Sequence, residues 1–220
     1  MAFCETGSLR VSPDKVPEPR IDLPPSDLKE QIAVLAGGCF WCLEAVFLAL
    51  DGVLEVTSGY AGGSAESADY KNVCSGRTDH AEAVRIRFDR SRIGYAQLLK
   101  VFFSIAHDPT QRDGQGNDRG RQYRSTIFYA DQAQETVARA YICQLNEEGV
   151  FGAPIVTVLE PMNDFYEAEA YHQNYAAQHA GQPYVALVAA PKLDKLKRYF
   201  AAQLKDGVQG TGLRAQEKSA

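Results

Sequence analysis

Hydrophobic and polar positions switch between a period of two and a period near 3.6 along the middle of the chain. Gln31 to Ala36 is a short apolar run suited to a buried strand, and Gly37-Gly38 interrupts it. Leu43, Val46, Phe47 and Leu50 then recur at helical spacing until Asp51-Gly52. Val53 to Tyr60 reads as a second strand and Ala81 to Asp89 as a third, alternating through Ala83, Arg85 and Arg87. Tyr95 to Ala106 is expected to be helical, with Leu98, Leu99, Phe102 and Ile105 on one stripe. A fourth strand follows over Gln122 to Ala130, then a helix over Gln132 to Glu148 closed by Gly149, then a fifth strand over Ile155 to Leu159.

The first six elements run strand–helix–strand–strand–helix–strand, the order of a split β-α-β, ferredoxin-like core. Right-handed crossovers would put both helices on one face of a largely antiparallel sheet, giving an α+β fold. Segments at Glu167–Ala180 and Leu193–Leu204 are expected as peripheral C-terminal helices. Five of the ten prolines lie between Pro13 and Pro25, so residues 1–29 read as an extended arm, wrapped on the surface or partly disordered. Residues 30–205 are expected to form one catalytic domain and residues 206–220 a flexible tail. The polar stretch from His107 to Arg121 is a long loop of the kind that carries function.

Composition narrows the function classes. With 45% hydrophobic and 23% charged residues, the chain has the balance of an ordinary globular domain. A net charge of −5 without a basic run argues against nucleic acid or an anionic membrane surface as partner. No apolar stretch reaches bilayer length and Met1–Arg10 lacks a signal core, so a cytoplasmic protein is expected. Five cysteines, an odd number, do not suggest a disulfide framework. They suit a reducing compartment, where a thiol serves packing or chemistry. A monomer without cofactor or metal is the expectation.

The sharpest local feature is Gly37-Gly38-Cys39-Phe40-Trp41-Cys42-Leu43-Glu44. Cys39 falls between a strand end and a helix start, where free N–H groups and the helix dipole favour a thiolate. The glycine pair lets the backbone turn sharply and leaves the sulfur open. Cys42 comes one helical turn later, within the Cα range of a disulfide. Three other readings compete at this point: buried packing thiols, part of a zinc site, and a thioredoxin-type exchange pair. Bulky Phe40-Trp41 between the cysteines fits an enzyme that holds a methyl group better than a general exchanger.

Gly38-Cys39-Phe40-Trp41 resembles the signature of type A peptide methionine sulfoxide reductases. The likeness continues in order through Ser58–Gly63, Tyr70–Gly76, Thr78–Val84, His107–Gln111, Gln115–Asp118, Gln122–Ser125 and Phe165–Tyr175. The resemblance implies reduction of methionine-S-sulfoxide, protein-bound or free, to methionine with Cys39 as nucleophile. It assigns Glu82 as the acid at the sulfoxide oxygen, Tyr70 and Tyr123 as phenols bonding that oxygen, Asp118 as a supporting carboxylate, and Phe40 and Trp41 as the methyl-binding wall.

Attack would leave Cys39 as a sulfenic acid, which a second thiol condenses to a disulfide. The family often resolves with cysteines near its C-terminus, but none follows Cys143 here. Cys42 is therefore the expected resolving thiol, with thioredoxin or a similar dithiol recycling the Cys39–Cys42 bond. Cys4, Cys74 and Cys143 are expected bystanders, and His80, His107 and His172 hydrogen-bonding scaffold residues. One departure stands out: Asp79 replaces the glycine usual in the family. If that position needs a positive φ, aspartate is among the better substitutes, and its charge would also lie close to Glu82 and raise its pKa further; activity is expected to survive. The rival activities are general thiol–disulfide exchange by the Cys39/Cys42 pair and peptide binding without turnover.

Overall fold

The computed structural model describes residues 11–208. In chain order it contains β1 (Glu30–Ala36), α1 (Phe40–Leu48), β2 (Val53–Ala61), α2 (Tyr70–Cys74), β3 (Ala81–Asp89), α3 (Tyr95–Val101) and the short hairpin β4 (Gly114–Gln115) and β5 (Asp118–Arg119). These are followed by β6 (Thr126–Tyr129), α4 (Gln132–Glu147), β7 (Val158–Pro161), β8 (Phe165–Glu167), α5 (Tyr175–Gln178) and α6 (Ala190–Tyr199). One mixed sheet runs in the order β7-β6-β1-β3-β2-β8, with only β6 and β7 parallel. The architecture is α+β.

Strand parity explains where the core sits. Ala33 and Leu35 of β1, Val84, Ile86 and Phe88 of β3, and Ile127 of β6 point to the helical face and join the main core. Val34, Ala36, Ala81, Ala83 and Phe128 point the other way into a small second cluster. Arg85 and Arg87 lie on that second face, where they pair with Glu167, Glu30 and Glu55 at the surface. Ala83, Arg85 and Arg87 thus share the second face of β3, which is buried at Ala83 and reaches the surface at the two arginines.

α1 is apolar almost all round, which requires cover on two sides. The sheet supplies one, through β2 and β3. The other is supplied by α5, α6 and a π-helical turn over Val185–Ala189. The C-terminal segments are therefore not peripheral, as their position in the sequence suggests: Val185, Ala189, Leu196, Phe200 and Leu204 are buried in the main core. α3 continues into a π-helical turn over Phe102–Ala106 that touches α1, so both helices lie on the same face.

Other boundaries shift for local reasons. The expected fourth strand begins only at Thr126, because Arg121–Tyr123 coils into a 3₁₀ turn. The fifth strand slides from Ile155–Leu159 to Val158–Pro161, an edge position where proline costs no ladder bond. α2 was not expected; its five residues carry no periodicity, and its start is set by Asp69, whose carboxylate accepts from the Asn72 N–H at 3.0 Å. The three residues of β8 are likewise too few to show alternation.

The described part of the arm, residues 11–29, is strapped onto α4 and α3. Tyr141 donates to the Pro17 carbonyl (2.9 Å), Gln144 bonds Arg20 N–H and the Glu18 carbonyl, and the Asp22 carboxylate accepts from Ala96 N–H (3.0 Å). Val16 and Leu23 are buried beneath it. Residues 1–10, with Cys4, and most of the expected tail, 209–220, lie outside the described residues.

Candidate active site

Cys39 sits at the N-cap of α1, delivered there by the glycine pair. Gly38 has φ +95°, and a Cβ on it would meet Gln115 Cγ at 2.7 Å. A Cβ on Gly37 would strike His107 and Phe102 at 2.8 and 2.9 Å. Neither position has room for another residue, so the turn that presents Cys39 depends on glycine twice. Cys39 is 8% exposed and opens onto a cavity of about 360 Å³. The wall of that cavity comes from the hairpin residues Gln115 to Asp118 and from Pro183, Tyr184, Leu187, Val188 and Lys192.

Glu82 continues the core-facing row of Val84, Ile86 and Phe88 on β3 and is paired across the sheet with Tyr60. It is 2% exposed, and its carboxyl accepts from Phe40 N–H at 3.1 Å. Glu82 thereby meets the first turn of the helix that Cys39 caps. Burial pushes its pKa up to about 8, with Asp118 and Cys42 adding to the effect and the Phe40 N–H opposing it. A carboxyl in that state is protonated at neutral pH and able to donate.

The dithiol differs from expectation. The two thiols hydrogen-bond to each other, and burial pushes Cys39 upward. Cys42 is drawn down to about 7, first by its hydrogen bond with Cys39 and then by the Lys192 charge. The start of α1 does not overcome the dry surroundings of Cys39, which hold it as the thiol, so Cys42 is the more readily ionised of the two. Both cysteines are free.

The remaining expected residues gather around this pair to different degrees. Tyr123, half-buried in its 3₁₀ turn, has its phenol raised by burial and then by Glu82, with Cys74, Asp118 and Cys39 adding less. Tyr70 opens α2; its phenol is raised by burial and by a hydrogen bond with Cys74, and it also feels Glu82 and Cys39. Asp118 lines the cavity and accepts from the Tyr184 hydroxyl at 2.6 Å. Phe40 is buried against Tyr60 and His172, while Trp41 is half-buried and stacked on Tyr175 at 3.9 Å. Neither lines the cavity that opens on Cys39. Cys74 ends α2 half-buried, and Cys143 is exposed on α4.

The histidines act as struts. His107 bonds the Phe102 carbonyl (2.9 Å) and Ser125 (2.7 Å), and burial pulls its pKa down to about 3, so it stays neutral. His80 bonds the Ser64 carbonyl at 2.9 Å. His172 accepts from Trp41 Nε1 at 3.2 Å, and the next two residues also tie this segment to the core. Gln173 bonds both backbone groups of Ser58, and Asn174 N–H donates to Glu44.

Asp79 needs a correction. Among the described residues only Asp113 and Asn174 are non-glycine residues with positive φ, so position 79 demands no left-handed backbone. Its side chain is 73% exposed and pairs with Arg121 at 3.2 Å. The charges that raise Glu82 are those of Asp118 and Cys42, not Asp79.

Three residues escaped sequence reasoning. Tyr184 lies edge-on to Trp41, with its hydroxyl in reach of both sulfurs. Lys192 is a buried cation on the cavity wall. Glu169 accepts from Tyr60 OH (2.8 Å) and Tyr70 N–H (3.0 Å). All three lie far along the chain from Cys39 in stretches without periodicity, and only the closure of the C-terminal segment over α1 brings them in. Among the described residues no helix is long and apolar enough to cross a membrane.

Comparison with known proteins agrees with the geometry. The model of the family described as peptide methionine sulfoxide reductase matches residues 31–204. A peptide methionine sulfoxide reductase MsrA of Deinococcus radiodurans is 51% identical over 181 residues, 82% of this chain and 87% of its own length. That of Chromobacterium violaceum is 52% identical over 174 residues, 79% of this chain and 98% of its own. Among solved structures, reduced Mxr1 from Saccharomyces cerevisiae superposes with a TM-score of 0.64 at 34% identity, covering 73% of this chain and 91% of that one. Methionine sulfoxide reductase A of Corynebacterium diphtheriae gives 0.57 at 31% identity, covering 70% and 77%. On the matched residues, the identity across most of its length and the shared fold, this chain belongs to the peptide methionine sulfoxide reductase family.

Proposed function

We propose that this member of the family reduces methionine-S-sulfoxide, protein-bound or free, through a Cys39 sulfenic acid that Cys42 resolves. The observation that carries the reading is a protonated, buried carboxyl, Glu82, bonded to the first turn of the helix that Cys39 caps. Cys39 sulfur attacks the sulfoxide sulfur, passing its proton to the Cys42 thiolate, while Glu82 protonates the oxygen. Tyr70 and Tyr123 hydrogen-bond that oxygen, Asp118 keeps the site's polar wall in place, and the S-methyl group rests against Phe40 and Trp41 of α1, beside the cavity rather than in its wall. The hydroxyl passes from the substrate sulfur to the Cys39 sulfur as the bond between the two sulfurs breaks, so methionine departs and Cys39 is left as S–OH. Cys42 sulfur then bonds Cys39 sulfur, and the hydroxyl leaves with the Cys42 proton as water. The two electrons come from the dithiol, and Glu82 regains its proton from solvent.

A thioredoxin-type dithiol would return the Cys39–Cys42 disulfide to two thiols by exchange. The four central strands, ordered β6-β1-β3-β2 with α1 and α3 on one face, support a ferredoxin-like reading of the core. Residues 30–205 would then be a single catalytic domain with an arm before it and a tail after it. A monomer in the cytoplasm suits a protein whose cysteines must stay reduced. General disulfide exchange is disfavoured by the dry setting of Cys39 and by a neutral carboxyl that exchange would not need.

The test is turnover of each sulfoxide epimer with dithiothreitol as reductant. The S-epimer alone is expected to yield methionine, and Cys39→Ser is expected to abolish the yield. Insulin reduction independent of sulfoxide would overturn the reading.

A further inference from the structure

Lys192 is 6% exposed, and its ammonium donates to the Ala106 carbonyl. No carboxylate pairs with it among the described residues. A buried ammonium without a counter-charge is costly, so its environment is expected to offer a negative group. Its position says which one. Ala106 precedes His107, whose ring packs against Gly37 beneath the turn that presents Cys39. Lys192 and Cys39 line the same cavity.

The other groups facing this space leave few choices. Glu82 on β3 is held neutral by burial, and His107 is neutral. Asp118 on β5 accepts from the Tyr184 hydroxyl, and its charge opposes a thiolate at Cys42. Tyr184 is itself a donor whose phenol burial keeps protonated. Beside Asp118, the other anion this space can hold is the one the dithiol forms, and the Lys192 charge lowers Cys42.

We propose that Lys192 is the fixed counter-cation of the Cys39–Cys42 dithiol, placed by α6 so that Cys42 carries the charge and is the sulfur that attacks oxidised Cys39. The proposal rests on Cys39 and Cys42 acting as a redox pair. Lys192 touches no substrate; it is a positioning residue acting through Cys42. The fall of the Cys42 pKa to about 7, part of which comes from the Lys192 charge, is in keeping with this. In the resolving step the cation eases loss of the Cys42 proton to the departing hydroxyl, so that the S–S bond forms and water leaves. In the reverse direction it stabilises Cys42 as leaving thiolate when an external dithiol attacks Cys39.

The experiment compares the reduced full-length chain with Lys192→Gln, which can still donate to the Ala106 carbonyl but has no charge, and with Lys192→Arg, which restores the charge. Cys42 alkylation by iodoacetamide is followed against pH by peptide mass mapping. The wild-type midpoint is expected near about 7. Lys192→Gln is expected to raise it by about one unit, a roughly tenfold loss of thiolate below the midpoint, and Lys192→Arg to bring it back. In single turnover near pH 7, the Gln variant is expected to form the Cys39 sulfenic acid and to close the disulfide several-fold more slowly than wild type, because the Cys42 thiolate serves both steps, and Lys192→Arg to restore both rates. An unchanged alkylation midpoint in Lys192→Gln would overturn the proposal, as would a midpoint that Lys192→Arg fails to restore. If Lys192→Gln does not fold, the Arg variant decides: a wild-type midpoint supports the charge, and a raised one overturns it. The titration needs no sulfoxide, so its outcome stands apart from whether methionine sulfoxide is the substrate.

Discussion

Glu82 is a carboxyl in a row otherwise made of Val84, Ile86 and Phe88, and its chemistry follows from that parity. Because its folded pKa of about 8 lies above the ordinary 4.5, the folded chain holds a proton that the unfolded chain has released between those values. Stability is therefore expected to fall as pH rises across that window and to level off above it. Urea denaturation at the two ends of the window checks the sign, and Glu82→Gln is expected to flatten the difference. The same substitution leaves an amide that can hydrogen-bond the sulfoxide oxygen but cannot give it a proton, and is expected to lower kcat roughly a hundred- to ten-thousand-fold. For the wild type, the rate is expected to rise with pH through about 7, as Cys42 ionises to receive the Cys39 proton, and to fall through about 8, as Glu82 loses its own. A plateau extending well above that range would remove Glu82 as the acid. Cys42→Ser lacks both the thiolate that receives the Cys39 proton and the resolving sulfur, so attack slows and resolution is lost. It is expected to release one equivalent of methionine and to stall as a Cys39 sulfenic acid, which dimedone labelling and mass spectrometry would detect.

At the scale of elements, the site depends on two short pieces of backbone and one distant cover. The turn before α1 requires φ +95° at Gly38 and space for the Gln115 side chain. Gly38→Ala is expected to displace the hairpin and suppress activity more than stability, a contrast measurable by comparing kcat with the thermal midpoint. The cover is α6 and the π-helical turn before it, which close the outer side of α1. Leu196 is fully buried there, so Leu196→Ala is expected to destabilise the protein by roughly 2–5 kcal/mol, read by chemical denaturation. Because the same segment carries Tyr184 and Lys192, the loss is expected to reach the Cys39 cavity as well.

At the scale of the molecule, the central elements were legible because each is long enough to show its period. β1, α1, β2, β3 and α4 appear close to their expected bounds. The Cys39–Cys42 pair and the Glu82 motif were legible as well, because local spacing and an ordered series of matching segments carry them. Other features were not. α2 and β8 are three to five residues long, below the length at which any period can be read. The C-terminal segments look peripheral because nothing in a sequence announces that a helix buried on one side also needs cover on the other.

What the sequence determined by itself is therefore which groups are candidates for the chemistry and the chain order of the central strands and helices, since both depend on local spacing or on a repeated pattern. The tertiary structure decided how those groups ionise. Burial of Cys39 against Glu82, Asp118, Tyr184 and Lys192 comes from residues far apart in the chain, and desolvation at a site is set by everything that surrounds it. That is why the helix start alone predicts a thiolate at Cys39, whereas in the folded chain burial raises Cys39 and its neighbours lower Cys42.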